Sequence, residues 1–182
     1  MHRGDILNLL AKHQPIDETE KDMLIGMVEF IKTNPDCFKR ELLKGHITGS
    51  SWIVDIRNGK TLLTHHAKLN RWLQLGGHAD GDTNILQVAL KEAKEESGLS
   101  DISPIASPVF DVDVHKIPEH KGVSEHYHYD VRFLFEADSE EEFVVSDESN
   151  DLAWIEMASL PMMLQDESML RMYKKAKIVL DM

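Results

Sequence analysis

An α/β (α+β) sandwich is the fold class the sequence predicts, on three observations. Apolar residues recur at helical spacing near both ends of the chain, short alternating segments fill the middle, and one amphipathic helix interrupts those segments. Strands with a helix between them and helices outside them have to bury their apolar faces in layers.

The elements follow in order. Residues 5–13 and 17–33 read as helices. In the second, Asp17 is placed to cap the start, and Met23, Leu24, Met27, Val28, Phe30 and Ile31 mark one face. Asn34-Pro35-Asp36 ends it, because the residue before a proline avoids the helical region. The stretch CFKRELLKGH is expected to add a short helix. From Ile47 the pattern turns to strands: ITGSSWIVDI and TLLTHH form a hairpin across Arg57-Asn58-Gly59-Lys60, and WLQL runs into Gly76-Gly77. A helix over 84–97 stops at Gly98, with Asp82 or Thr83 as its cap. Strands are expected near 105–114, 125–136 and 152–156, and a closing helix over 166–180. The chain divides on this reading into an N-terminal helical extension, 1–44, packed on a domain spanning 45–182.

Composition narrows the function. There are 182 residues, with 32 acidic against 20 basic side chains and a formal net charge of −12. Such a charge disfavours a nucleic-acid backbone or an anionic membrane as main partner, but allows small phosphorylated ligands bridged by a cation. No apolar run has membrane-spanning length, the start MHRGDILNLL lacks a signal peptide's basic and apolar regions, and a single cysteine, Cys37, excludes an internal disulfide. A cytoplasmic location is expected.

The stretch LKEAKEESGL carries the sharpest question. Glu92, Glu95 and Glu96 stand at i, i+3 and i+4 near the C-terminal end of the helix. Like charges at that spacing repel, and the helix dipole disfavours carboxylates there. On a helical wheel Leu86, Ala89, Leu90, Ala93 and Ser97 form the core face. The glutamates lie about a quarter-turn away, and Lys91 and Lys94 point toward solvent. Hard oxygen ligands at that density, at the seam of helix and sheet, suit Mg²⁺ or Mn²⁺. The plainer alternative is a solvated charged face.

The segment GGHADGDTNILQVALKEAKEESGL resembles the Nudix box of the Nudix hydrolases. Counting from Gly77 places Glu92, Ala93, Glu95, Glu96, Gly98 and Leu99 on the family pattern without a gap. Thr83 stands where the family has Glu, and Lys91 where it has Arg. The resemblance implies a Nudix-type α/β/α sandwich with a mixed sheet. It also implies a metal-dependent hydrolase that cleaves the diphosphate linkage of a nucleoside diphosphate joined to another moiety: a nucleotide sugar, a CDP-alcohol or a nucleoside triphosphate. The attacking water would be activated by Mg²⁺ or Mn²⁺ held by Glu92, Glu95 and Glu96, with the Gly77 carbonyl a further ligand. Family members differ in their general base, and here Glu95, Glu96 and Glu148 (in the loop ahead of Trp154) are the candidates.

Other residues remain open. EHYHYDVRFLFE alternates, setting His126, His128, Asp130 and Arg132 on one strand face. That face is either solvated or lines a polar pocket in which His126, His128 and Asp130 meet substrate or a metal. His78 and Asp80 lie in the loop before the metal helix, so His78 is a further substrate-binding candidate. Of His65 and His66, adjacent on a strand, at most one faces a ligand. Trp52, Trp72 and Trp154 read as core or wall, and Met157, Met162, Met163, Met169 and Met172 as adaptable packing. Two other functions compete: a non-catalytic nucleotide- or metabolite-binding regulator on the same fold, and an isomerase resembling isopentenyl-diphosphate isomerase, for which Cys37 is poorly placed. The apolar face of the second helix suggests a homodimer.

Overall fold

The computed structural model describes residues 2–67, 70–105, 109–119, 122–145 and 149–181. Two helices come first, α1 (Gly4–Leu10) and α2 (Glu18–Thr33). Asp17 caps α2 as its type predicts, its carboxylate accepting from the Glu20 N–H at 2.8 Å. The stretch 37–44 is a series of turns rather than the expected short helix. Its backbone closes i to i+3 bonds such as Lys39 N–H to the Asp36 carbonyl at 2.9 Å, and Gly45 stops it from propagating.

Among the described residues, eight strands form one mixed sheet: β1 (Gly45–Asp55), β2 (Lys60–His66), β3 (Arg71–Leu73), β4 (Leu75–His78), β5 (Ser103–Pro104), β6 (Asp111–Ile117), β7 (His126–Glu136) and β8 (Ser149–Glu156). Between β4 and β5 lies α3 (Ile85–Ser97), and after β8 come a short α4 (Leu160–Met163) and α5 (Glu167–Val179). The strand expected over 105–114 begins instead at Asp111, with the short β5 just ahead of the expected range, and residues 106–108 lie outside the described residues.

β1 is the spine. It runs parallel to β7 from the pair Gly45–Tyr127 to Val54–Glu136. Its other edge is shared, with β4 opposite Thr48–Ser51 and β2 opposite Ile53–Asp55, both antiparallel. Every residue of β1 is buried. Side chains alternate across it. Ile47 and Ile53 join the core beneath α3, while Trp52 and Val54 join a second core with Met169, Met172 and Ala176 of α5. Helices therefore cover both faces, as the predicted sandwich requires.

The N-terminal helices share the first core: Ile6, Leu10, Met27, Phe30 and Ile31 pack in one cluster with Val112 and Val131 of the sheet. Phe30 stacks flat on Tyr129, with ring centroids 3.8 Å apart. Cys37 is fully buried in the same cluster, and desolvation pushes its thiol up to about 11, so it is an inert packing residue. Of the methionines, Met157, Met169 and Met172 pack inside, but Met162 is 87% exposed and Met163 41%, contrary to a packing role.

Candidate functional site

The glutamate helix owes its position to small residues. A side chain at Gly49 would press on Ile85 and on the Ala89 backbone, and Ser51 Oγ donates to the Ala89 carbonyl at 2.8 Å. With Ala93 fully buried as well, α3 lies close against β1. Its buried face is Ile85, Val88, Ala89, Ala93 and Ser97. Leu86 and Leu90 are only partly covered, so the core face is rotated toward Ile85 and Val88 from the one expected. The cap is Asn84, accepting from Gln87 N–H at 3.3 Å, while Asp82 supports it by accepting from Asn84 N–H at 2.9 Å. Neither Asp82 nor Thr83 is the cap. Gly98 ends the helix at φ +73°, a left-handed conformation that suits glycine.

Two of the three glutamates turn onto the glycine loop. Glu96 Oε1 accepts from the Gly76 N–H at 3.3 Å. Glu92 lies against Gly77 so closely that any side chain there would collide with its carboxylate. Both glutamates are half-buried, whereas Glu95 is 59% exposed. Lys91 does not simply point to solvent: its ammonium lies 3.2 Å from Glu95 and 3.9 Å from Glu92. In the same loop Asp80 adopts φ +49° and forms a two-bond ion pair with Arg40, which holds the carboxyl below the usual carboxylate range. A residue outside the box thus braces the loop that the box helix faces.

The opposite face of β1 and β7 is polar and covered. Asp130 is buried and accepts from Thr48 Oγ1 and Ser50 Oγ, each at 2.8 Å, from Gln74 at 3.3 Å and from Arg132 at 2.8 Å. Beside it the parallel register sets His46 next to His128. His78 completes the group from β4, its ring 5.0 Å from each of the other two. His126 stands 5.1 Å from His46, and His115 stands 5.5 Å from His128. Burial, reinforced by the neighbouring rings, pushes His46 down to about 4 and His128 down to about 2, so both are neutral at physiological pH.

Further along this face lies a buried ionic network. Asp111 takes bonds from Arg132 at 3.1 Å, from Arg171 at 2.9 and 3.0 Å, and from Lys175 at 3.1 Å. Arg171 also reaches Asp113 at 3.1 Å, and Lys175 pairs with Glu20 of α2, which His13 bonds as well. Burial alone would raise Asp113, but Arg132, His115 and Arg171 outweigh it and hold the carboxyl far below its usual range. Arg132 and Arg171 also help to line a cavity of about 940 Å³, with Gln74, His115, Trp72 and His65 in its wall. That volume suits a nucleotide-sized ligand.

The residues singled out by sequence therefore fall into two groups. Glu92, Glu96 and Gly77 converge on one side of β1 and β4, while His78, His126, His128 and Asp130 gather on the other. Glu148 lies outside the described residues. His46 and His115 went unnoticed in the sequence. His115 carries a local signal, since Asp111, Asp113 and His115 alternate along β6. His46 carries none, because its place beside His128 depends on a parallel pairing across more than eighty residues.

A family profile described as NUDIX domain matches residues 48–175. Among solved structures, a C. elegans Ap4A hydrolase binary complex superposes with a TM-score of 0.60 at 17% identity, covering 74% of this chain and 97% of that one. A MutT protein from Methanosarcina mazei gives 0.58 at 14% identity (74% and 94% covered). The E. coli dihydroneopterin triphosphate pyrophosphohydrolase gives 0.55 at 13% (75% and 96% covered). At these identities the likeness is one of fold. No curated protein sequence matches the chain closely enough to count as a relative. Among the described residues, no helix is long and apolar enough to cross a membrane.

Proposed function

The chain belongs to the Nudix family of pyrophosphohydrolases, and on that premise we propose that it hydrolyses the diphosphate linkage of a nucleoside diphosphate derivative with Mg²⁺ or Mn²⁺. The observation that carries this reading is the turning of Glu92 and Glu96 onto the Gly76–Gly77 loop. Family members use divalent metal, and the donor set here fits it: hard carboxylate oxygens beside a backbone stretch where a side chain would have no room. Glu92, Glu95 and Glu96 would hold the cation, with the Gly77 carbonyl alongside. When bound, such a cation neutralises diphosphate charge and lowers the pKa of a water.

The chain's own groups do the rest. Glu96, fixed by the Gly76 N–H, takes a proton from the attacking water on its carboxylate. Arg40, through Asp80, keeps the loop in register with α3.

Hydrolysis of a panel of nucleotide sugars, CDP-alcohols and nucleoside triphosphates, with Mg²⁺ and with Mn²⁺, tests the reading. A turnover that Glu96→Gln abolishes supports it. A second reading, a nucleotide- or metabolite-binding regulator on the same fold, is favoured by Thr83 and Lys91 at two box positions. Binding without turnover on the same panel would establish that one.

A further inference from the structure

The three histidines that close on one another behind the glycine loop form a site that the carboxylate chemistry does not use. We propose that His46, His78 and His128 bind a borderline transition-metal cation of the zinc type, at a site separate from the box glutamates.

Geometry is the first argument. One ring nitrogen from each residue lies within 4.8 Å of the others. Tetrahedral zinc with nitrogen ligands at about 2.0–2.1 Å needs them about 3.4 Å apart, which small side-chain rotations reach. The rings come from three different strands, β1, β4 and β7, so pairing in the sheet holds them together.

Satisfaction of polar atoms is the second. His46 is 3% exposed, yet neither of its ring nitrogens has a hydrogen-bond partner among the described residues, and neither does Nε2 of His128. Leaving such groups bare in the interior is costly. A metal would take the one lone pair that each neutral ring presents, satisfying one nitrogen of His46 and that of His128. Neutral imidazole is the ligand form. His126 stands nearest the three. Its Nδ1 donates to the Ser124 carbonyl at 2.8 Å, so a neutral ring carries its lone pair on Nε2.

The two metal chemistries are separated by the sheet. Gly77 faces Glu92, whereas His78, the next residue on β4, projects to the other face. Nitrogen donors select zinc, cobalt or nickel over magnesium, so the two sites would not compete for one ion.

Cobalt(II) tests this by its visible absorption, which is intense in four-coordinate sites. Chelator-treated full-length protein, saturated with Mg²⁺, is titrated with Co²⁺. One equivalent with a four-coordinate spectrum, displaced by Zn²⁺, is expected. His128→Gln and His78→Gln should each weaken it by at least about 100-fold, since even outer-shell changes cost 10–100-fold. Glu92→Gln combined with Glu96→Gln should leave the spectrum unchanged. Circular dichroism confirms that each variant is folded, and His78, half-exposed, is the milder of the two histidine substitutions. No tight cobalt site, a spectrum indifferent to both histidine variants, or one lost with the glutamates instead would overturn the proposal. Hydrolysis of the panel does not enter the readout, so failure here leaves the proposed activity standing.

Discussion

Two acid-rich regions of this molecule behave in opposite ways. Around Asp111 the carboxylates are buried, and each meets a guanidinium or ammonium fixed by the fold, from Arg132, Arg171 or Lys175. On α3 the glutamates are half-buried or exposed, and Lys91, itself 65% exposed, reaches Glu92 and Glu95 from solvent. Buried charge is tolerable only when its partners are built in, because desolvation costs several kcal/mol per ion. Carboxylates open to water carry no such demand, so they are free to exchange a protein partner for a dissolved cation. The contrast separates acids that hold the fold from the acids proposed to bind a cation.

Experiments can break or sharpen that contrast. Asp111→Ala strips one acid from three cations, and should lower unfolding free energy by about 3–5 kcal/mol in urea titration. If the loss were below about 1 kcal/mol, the network would not be structural. Glu96→Gln should leave stability within about 1 kcal/mol of the parent. Hydrolysis should fall by roughly 10²–10⁴-fold, the contribution of one positioned general base. Acid gives the next effect. Glu20 and Asp113 are held below their ordinary values of 4.5 and 3.8. Their stabilisation is therefore fully present above about pH 4.5 and is lost as pH falls further, because the unfolded chain then binds the protons first. Each group adds a slope of about 1.4 kcal/mol per pH unit below that point, readable from melting temperature against pH. Arg40→Ala removes an exposed brace and should cost less than about 1 kcal/mol, up to roughly fivefold in kcat/KM. Lys91→Ala should change stability least, by about 0.3–0.5 kcal/mol, with salt erasing the difference.

The sequence showed the glutamate face because its signal is local. Three carboxylates, two glycines and an amphipathic period fall within about twenty-five residues, and the helix that carries them runs Ile85–Ser97 as the period predicts. The strand alternation of β7 was legible for the same reason. What eluded sequence reading is long-range. His46 sat in a stretch that looked helical, yet it lies on the central strand, and only its pairing with β7 brings it to His128. Arg40 is similar: nothing adjacent in the chain says that it will reach Asp80, forty residues on. The α3 cap was misassigned because Asp82, Thr83 and Asn84 are all good cap types, and the choice among them rests on which residue the loop geometry aligns with the first free N–H groups.

β1 carries its two sides on one backbone. Gly49 and Ser51 fit the glutamate helix, while His46, Thr48 and Ser50 serve the histidine and Asp130 side. Inserting or deleting a single residue within Ile47–Ser51 would exchange those sides. Bulk would be driven under α3 and the imidazole cluster dismantled by the same event. A lengthened connection between β6 and β7 carries no such penalty. Variation that this protein tolerates should therefore accumulate in the connections, with the middle strand held to a fixed length.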